Sequence, residues 1–159
     1  MADISRKSPY TLQTRQPIAS VSKTFTGVAI AKAIALGLFS LDTDINTILP
    51  FKVINPRYPS ATITVRHLVS HTSGITDREA AYKSGYILCD GRQGDEKLLQ
   101  SLLNAGYGQG DKNATLSSYL SDYFQPQGKL YNRSNFLKTK PGEQYHYSNI
   151  ASALAAYLI

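Results

Sequence analysis

Sulfur and indole are nearly missing from this chain: one cysteine, one methionine and no tryptophan in 159 residues. A lone thiol, Cys89, excludes an intrachain disulfide and a thiolate metal cluster. Within "YILCDG" it reads as a small apolar filler on a half-buried strand entering a turn. Histidine is scarce too, and His67, His71 and His146 have no spacing that would make a zinc site together, so metal use is not indicated. Acidic residues number 11 against 17 basic, a net charge of +6. The basic residues are scattered except in "KLYNRSNFLKTK", where four of them alternate with Tyr131 and Phe136 as in a nucleic-acid groove. We read that stretch as a solvated loop ahead of Pro141 and expect no nucleic-acid partner. No apolar run approaches the roughly 18 to 20 residues of a membrane span, because Lys23 and Lys32 interrupt the longest one. The opening "MADISRKSPYTLQTRQ" has no signal-peptide pattern, which fits either a cytoplasmic product or an internal piece of a longer chain.

What is present is ordinary globular material, 42% hydrophobic and 18% charged, enough for one domain. "VAIAKAIAL", Val28 to Leu36, is apolar nearly all round, which predicts a helix lying in a core, stopped by Gly37. Asp42 or Asp44 can cap a short helix over "INTIL", and Thr64 can cap "VRHLVS" before the turn "HTSG". The stretch from Asp77 reads as irregular until "EKLLQSLLN" resumes a helical pattern. "GYGQGDKN" lacks the lysine and serine or threonine of a phosphate-binding loop and reads as a flexible connector. Leu116, Tyr119, Leu120, Tyr123 and Phe124 recur at helical spacing as a core-facing stripe. A Pro-Gly turn, a brief extended run and an alanine-rich helix from about Asn149 close the chain. The pattern is largely helical, with no set of alternating strands long enough for a sheet.

"IASVSKTFTG", Ile18 to Gly27, puts Ser20 and Lys23 three residues apart, on one helix face, while Ser22 points elsewhere. Such a pair also occurs by chance on solvated surfaces. At the head of an apolar helix, however, a lysine must be paired or neutralised, which makes Lys23 a candidate base and Ser20 a candidate nucleophile.

With "SVSK" heading that helix, "VRHLVSHTSGI" in the middle and "PGEQYHYSNIASALAAYL" near the end, the chain resembles the serine beta-lactamase family. The likeness is to its class C branch and to the related penicillin-binding esterases and peptidases. The resemblance implies an α+β fold of the beta-lactamase/transpeptidase-like type, of which these residues would be mostly the helical part. It also implies that Ser20 is acylated, Lys23 is its neighbour in the site, Tyr147 is the tyrosine of a Y-x-N element and Asn149 orients substrate. A serine hydroxyl needs a base within hydrogen-bond reach, and Lys23 or an ionised Tyr147 can serve; each needs a depressed pKa, and the two would titrate as a coupled unit. His71 reads as a hydrogen bonder that braces its loop.

The departures are as informative. Related class A enzymes carry S-x-x-K, S-D-N and K-T-G, whereas the second element here is Tyr147-Ser148-Asn149. "SDY" at Ser121 to Tyr123 belongs to the helical stripe, and "KSG" at Lys83 to Gly85 precedes the second motif and reads as a loop. No third motif follows Asn149, and most of the family's sheet is missing. The expectation is thus a partial domain over residues 1–159, truncated at both ends. Its parent would be a serine hydrolase that cleaves a beta-lactam, a D-amino-acid peptide or a small ester, with little turnover in the chain as given. The rival expectation is a non-catalytic binding or sensor protein of penicillin-recognition type, or an inactive fragment. The resemblance implies no cofactor, family members work in the periplasm or after secretion, and with the sheet missing the uncovered face of the Val28 to Leu36 helix would favour self-association.

Overall fold

The computed structural model describes residue 7 and residues 9–87, 96–108 and 110–159. Cys89, with the strand expected around it, and part of the "GYGQGDKN" connector lie outside the described residues. Among the described residues six α-helices follow in order: α1 Lys23–Ala35, α2 Val65–Val69, α3 Glu79–Lys83, α4 Glu96–Asn104, α5 Leu116–Phe124 and α6 Asn149–Tyr157. Among the described residues β structure is limited to two isolated antiparallel bridges, Asp44 with Thr64 and Ile75 with Phe136.

The last helix organises the rest. α6 packs on α1, α2 and α5, burying Ile150, Ala151, Leu154 and Ala155. Ala151 and Ala155 are four apart and so share a face, where their small side chains let neighbouring helices approach closely. Into the same core come Ile30 of α1, Val65 and Leu68 of α2, Leu120, Tyr123 and Phe124 of α5, and Ile45, Phe51, Val53, Ile63 and Ile75 from the connections.

Helix ends follow the expected chemistry. Gly37 stands at φ +73° beyond α1, and the amides of Gly37 and Leu38 donate to the carbonyls of Ile34 and Ala33. This is the paired closure that a left-handed residue makes possible. Thr64 caps α2 in a reciprocal box: its Oγ1 accepts from the His67 amide, and His67 Nδ1 accepts from the Thr64 amide at 3.1 Å. Thr115 and Ser118 form the same box at α5. Asp44, not Asp42, caps the 3-10 turn Ile45–Thr47, while Asp42 pairs with Arg66.

Four expectations need correction. α1 lies against the core on one side only: it buries Ile30 and Ala33, while Phe25 and Val28 are each 70% exposed and Leu36 is 61% exposed. Its apolar composition states what the helix could bury, but neighbours cover one side only. The stretch after Asp77 is not irregular, since it opens with α3, and Lys83 of "KSG" is the last residue of that helix. Leu116, at the head of the α5 stripe, is exposed. Finally, "KLYNRSNFLKTK" is only partly a solvated loop. Phe136 and Asn135 are buried, Asn135 Nδ2 donates to the carbonyls of Tyr123 and Leu130, and Arg78 Nε donates to Asn135 Oδ1. With Phe136 packed inward, that aromatic ring is closed to base stacking.

Candidate active site

Ser20 lies on a 3-10 turn, Ala19–Ser22, that runs directly into α1. Ala19 has φ +47°, a left-handed conformation that costs a side-chain-bearing residue about 1 to 2 kcal/mol. Ser22 braces the turn by donating its hydroxyl to the Ala19 carbonyl at 2.6 Å, and so is occupied away from Ser20. Ser73 is buried and takes the Ile75 amide on its own hydroxyl.

Two basic-capable groups converge on Ser20. Lys23 Nζ donates to Ser20 Oγ at 3.1 Å, and the Tyr147 hydroxyl donates to the same oxygen at 2.7 Å. Lys23 Nζ also donates to Asn149 Oδ1 at 2.8 Å and stands 5.2 Å from the centre of the Tyr147 ring. The structure therefore brings all four expected residues together, across more than 120 residues of chain. Lys23 and Ser20, through their hydrogen bonds, hold the Tyr147 phenol below its usual range, burial and Asp77 opposing more weakly. With its proton lost, Tyr147 would accept the Ser20 hydroxyl in place of donating to it.

The Y-S-N segment is held from beneath by two residues. His71, at φ +56°, takes the His146 amide on its carbonyl at 2.7 Å, receives the Ser148 amide on Nδ1 at 3.4 Å, and lies against the Tyr147 ring with centroids 4.6 Å apart. Burial, and then the charge of Lys23, depress its pKa, consistent with a neutral imidazole that accepts through Nδ1. The second residue, Asp77, is absent from the sequence reading. Its Oδ1 accepts from the Ser148 hydroxyl at 2.7 Å and the Ile150 amide at 2.9 Å, and its Oδ2 from the Asn149 amide and Asn149 Nδ2, both at 2.8 Å. Half-burial pushes the Asp77 carboxyl up, but these donors outweigh it and hold it below the usual carboxylate range. Its partners lie 71 to 73 residues further on, so no local pattern exposes it; the one signal is an acidic residue directly after the "HTSGIT" turn.

Beside Asn149 opens an apolar cleft of about 440 Å³, walled by Tyr82, Tyr86, Leu116, Tyr119 and Ala153. Among the described residues no cluster of histidine, cysteine and carboxylate side chains could hold a metal ion, and no helix is long and apolar enough to cross a membrane.

The chain is similar to known proteins over part of their length. Protein flp of Staphylococcus aureus is 36% identical over 73 residues, 46% of this chain and 15% of that protein. Penicillin-binding protein 4* of Bacillus subtilis is 24% identical over 139 residues, 86% of this chain and 26% of that protein. The chain thus spans about a quarter or less of the length of these relatives. The Beta-lactamase family pattern matches residues 1–159, and the chain belongs to the Beta-lactamase family.

Proposed function

We propose that this chain carries the acylation site of a serine hydrolase, with Ser20 as nucleophile, Lys23 and Tyr147 as the proton-handling pair and Asn149 as the amide that orients Lys23 and substrate. Membership of a family of serine hydrolases supports the reaction class. The observation that carries the reading is the single oxygen, Ser20 Oγ, within hydrogen-bond reach of both Lys23 Nζ and Tyr147 Oη. The chemistry then runs in two halves. The Ser20 hydroxyl gives its proton to the phenolate of Tyr147 or the amine of Lys23 as Oγ bonds to the substrate carbonyl carbon. The amide or ester bond breaks, the leaving group takes that proton, and water later releases the acyl group from Ser20 by the same proton traffic reversed.

Beta-lactams, D-amino-acid peptides and small esters are the proposed substrates, met outside the cytoplasm as in family members such as the penicillin-binding proteins. The test is a fluorophosphonate or penicillin-type probe on the longest form that the reading frame encodes, with mass spectrometry of the labelled peptide. Label on Ser20, lost in Ser20→Ala, is the expected result. Label on Ser22, or none, would overturn the assignment, and label on Ser20 without turnover would mark a penicillin sensor instead of a hydrolase.

A further inference from the structure

We propose that Asp77 is a positioning residue for this site: it fixes the side-chain amide of Asn149 so that Oδ1, and not Nδ2, faces Lys23. The inference rests on the acylation reading above for its consequence, but on hydrogen-bond chemistry for its substance. An ionised carboxylate only accepts, an ammonium only donates, and a primary amide has one end of each kind. Asn149 stands between the two. Its Nδ2 donates to Asp77 Oδ2 at 2.8 Å and its Oδ1 accepts from Lys23 Nζ at 2.8 Å, and the reversed amide would oppose donor to donor at Lys23 and acceptor to acceptor at Asp77. The backbone is pinned by the same group, because each carboxylate oxygen also holds one main-chain N–H, that of Ile150 on Oδ1 and that of Asn149 on Oδ2. Asp77 touches neither Ser20 nor Lys23 in this network; it acts through Asn149.

Asp77→Asn is nearly isosteric and discriminates. A side-chain amide at position 77 has one accepting end, so its NH₂ must oppose one of the two main-chain N–H groups. Turned toward Asn149, it draws that amide's oxygen to itself and presents Nδ2 to Lys23. The expected result is a fall of about 10- to 100-fold in the rate of Ser20 acylation at saturating penicillin-type probe, with half-saturation little moved, the cost of a misplacement remote from the reacting atoms. In an Asn149→Ala background the same substitution should cost almost nothing more, since the residue through which it acts is gone. An equal cost in both backgrounds, or a lowered melting temperature with unchanged acylation, would reduce Asp77 to a structural cap of α6 and overturn the proposal.

Should Asp77→Asn not fold, or the unaltered protein not acylate, nuclear magnetic resonance of the unaltered protein still decides. One Asn149 Nδ2 proton should exchange slowly, bonded to the carboxylate; two freely exchanging protons would refute the assignment. Failure to acylate alone would sink the hydrolase reading and leave the amide orientation to be judged by that signal.

Discussion

Tyr147 meets Ser20, Lys23 and His71. The residue is 40% exposed, its ring is backed by His71 and faced by Lys23, and its hydroxyl meets Ser20. If its phenolate takes the Ser20 proton, Tyr147→Phe should slow acylation by about 10²- to 10⁴-fold, the usual weight of a general base. The phenol is held below its ordinary range by Lys23 and Ser20, so in the unaltered protein acylation should rise with pH through that depressed pKa, and this limb should vanish in Tyr147→Phe. Stopped-flow acylation across pH measures both, and a near-normal rate with the limb intact would leave Tyr147 a packing residue. At this scale the sequence was informative where spacing is local and silent where it is not. Ser20 and Lys23 are three apart and legible as a pair, and Tyr147 and Asn149 were legible through the Y-x-N resemblance. Asp77, whose four donors arrive from a segment some 70 residues away, carried no spacing to read.

Among the elements, α2 ties the site to pH. His67 closes the α2 capping box by accepting the Thr64 amide on Nδ1, and Gly142 of the Pro-Gly turn comes so near that a Cβ there would lie 3.2 Å from His67 Nε2. His71, just beyond α2, accepts the Ser148 amide in the same way. Protonation removes the accepting lone pair of either ring. Burial is the main cause that lowers both pKa values from 6.5, followed by Arg66 for His67 and Lys23 for His71. As pH falls the unfolded chain therefore binds protons first, so this part of the stability is complete above about 6.5 and is lost as pH drops through the folded values. The carboxylate of Asp77 adds loss only in a more acidic window, below its unfolded value of 3.8. We expect denaturant midpoints to decline below pH 6.5 and His67→Gln, whose amide oxygen accepts at any pH, to flatten that decline. Thr64→Ala should cost about 1 kcal/mol at neutral pH, the usual cost of a lost cap. An unchanged pH slope in His67→Gln would mean that the cap is not the sensor. Thr64 was legible because capping is a local bargain between a side chain and the next turn. The five-residue α3 was not, because too few residues of it repeat to show a period.

For the molecule as a whole, the decisive feature is the outer side of α1. Val21, on the 3-10 turn that enters α1, and Phe25, Val28 and Leu36 are all exposed, and the separations of three and eight residues between the last three set them in one stripe along the helix, with exposed Lys32 at the intervening turn. The stripe continues toward a mostly apolar groove of about 360 Å³ whose lining includes Ala29, Lys32, Leu36, Leu38, Leu158 and Ile159. Apolar surface withheld from water is worth about 25 cal/mol per Å², and a contiguous patch of this kind favours association. The apolar run in the sequence announced the helix and suggested a core position, while the missing sheet announced an uncovered face from Val28 to Leu36; the exposure of Val28 and Leu36 agrees with the second expectation. Association of the 159-residue chain through this face is the expected outcome, opposed only by a moderate net charge of +6, which salt screens. Analytical ultracentrifugation should find oligomers that grow with added salt, since screening weakens the repulsion and leaves the apolar contact intact. Val28→Gln with Leu36→Gln should return the chain to a monomer without shifting its unfolding midpoint downward, because neither side chain belongs to the buried set. A monomeric unaltered chain at tens of micromolar, or oligomers indifferent to both substitutions, would show that the outer face of α1 is stable in water and that the association surface lies elsewhere.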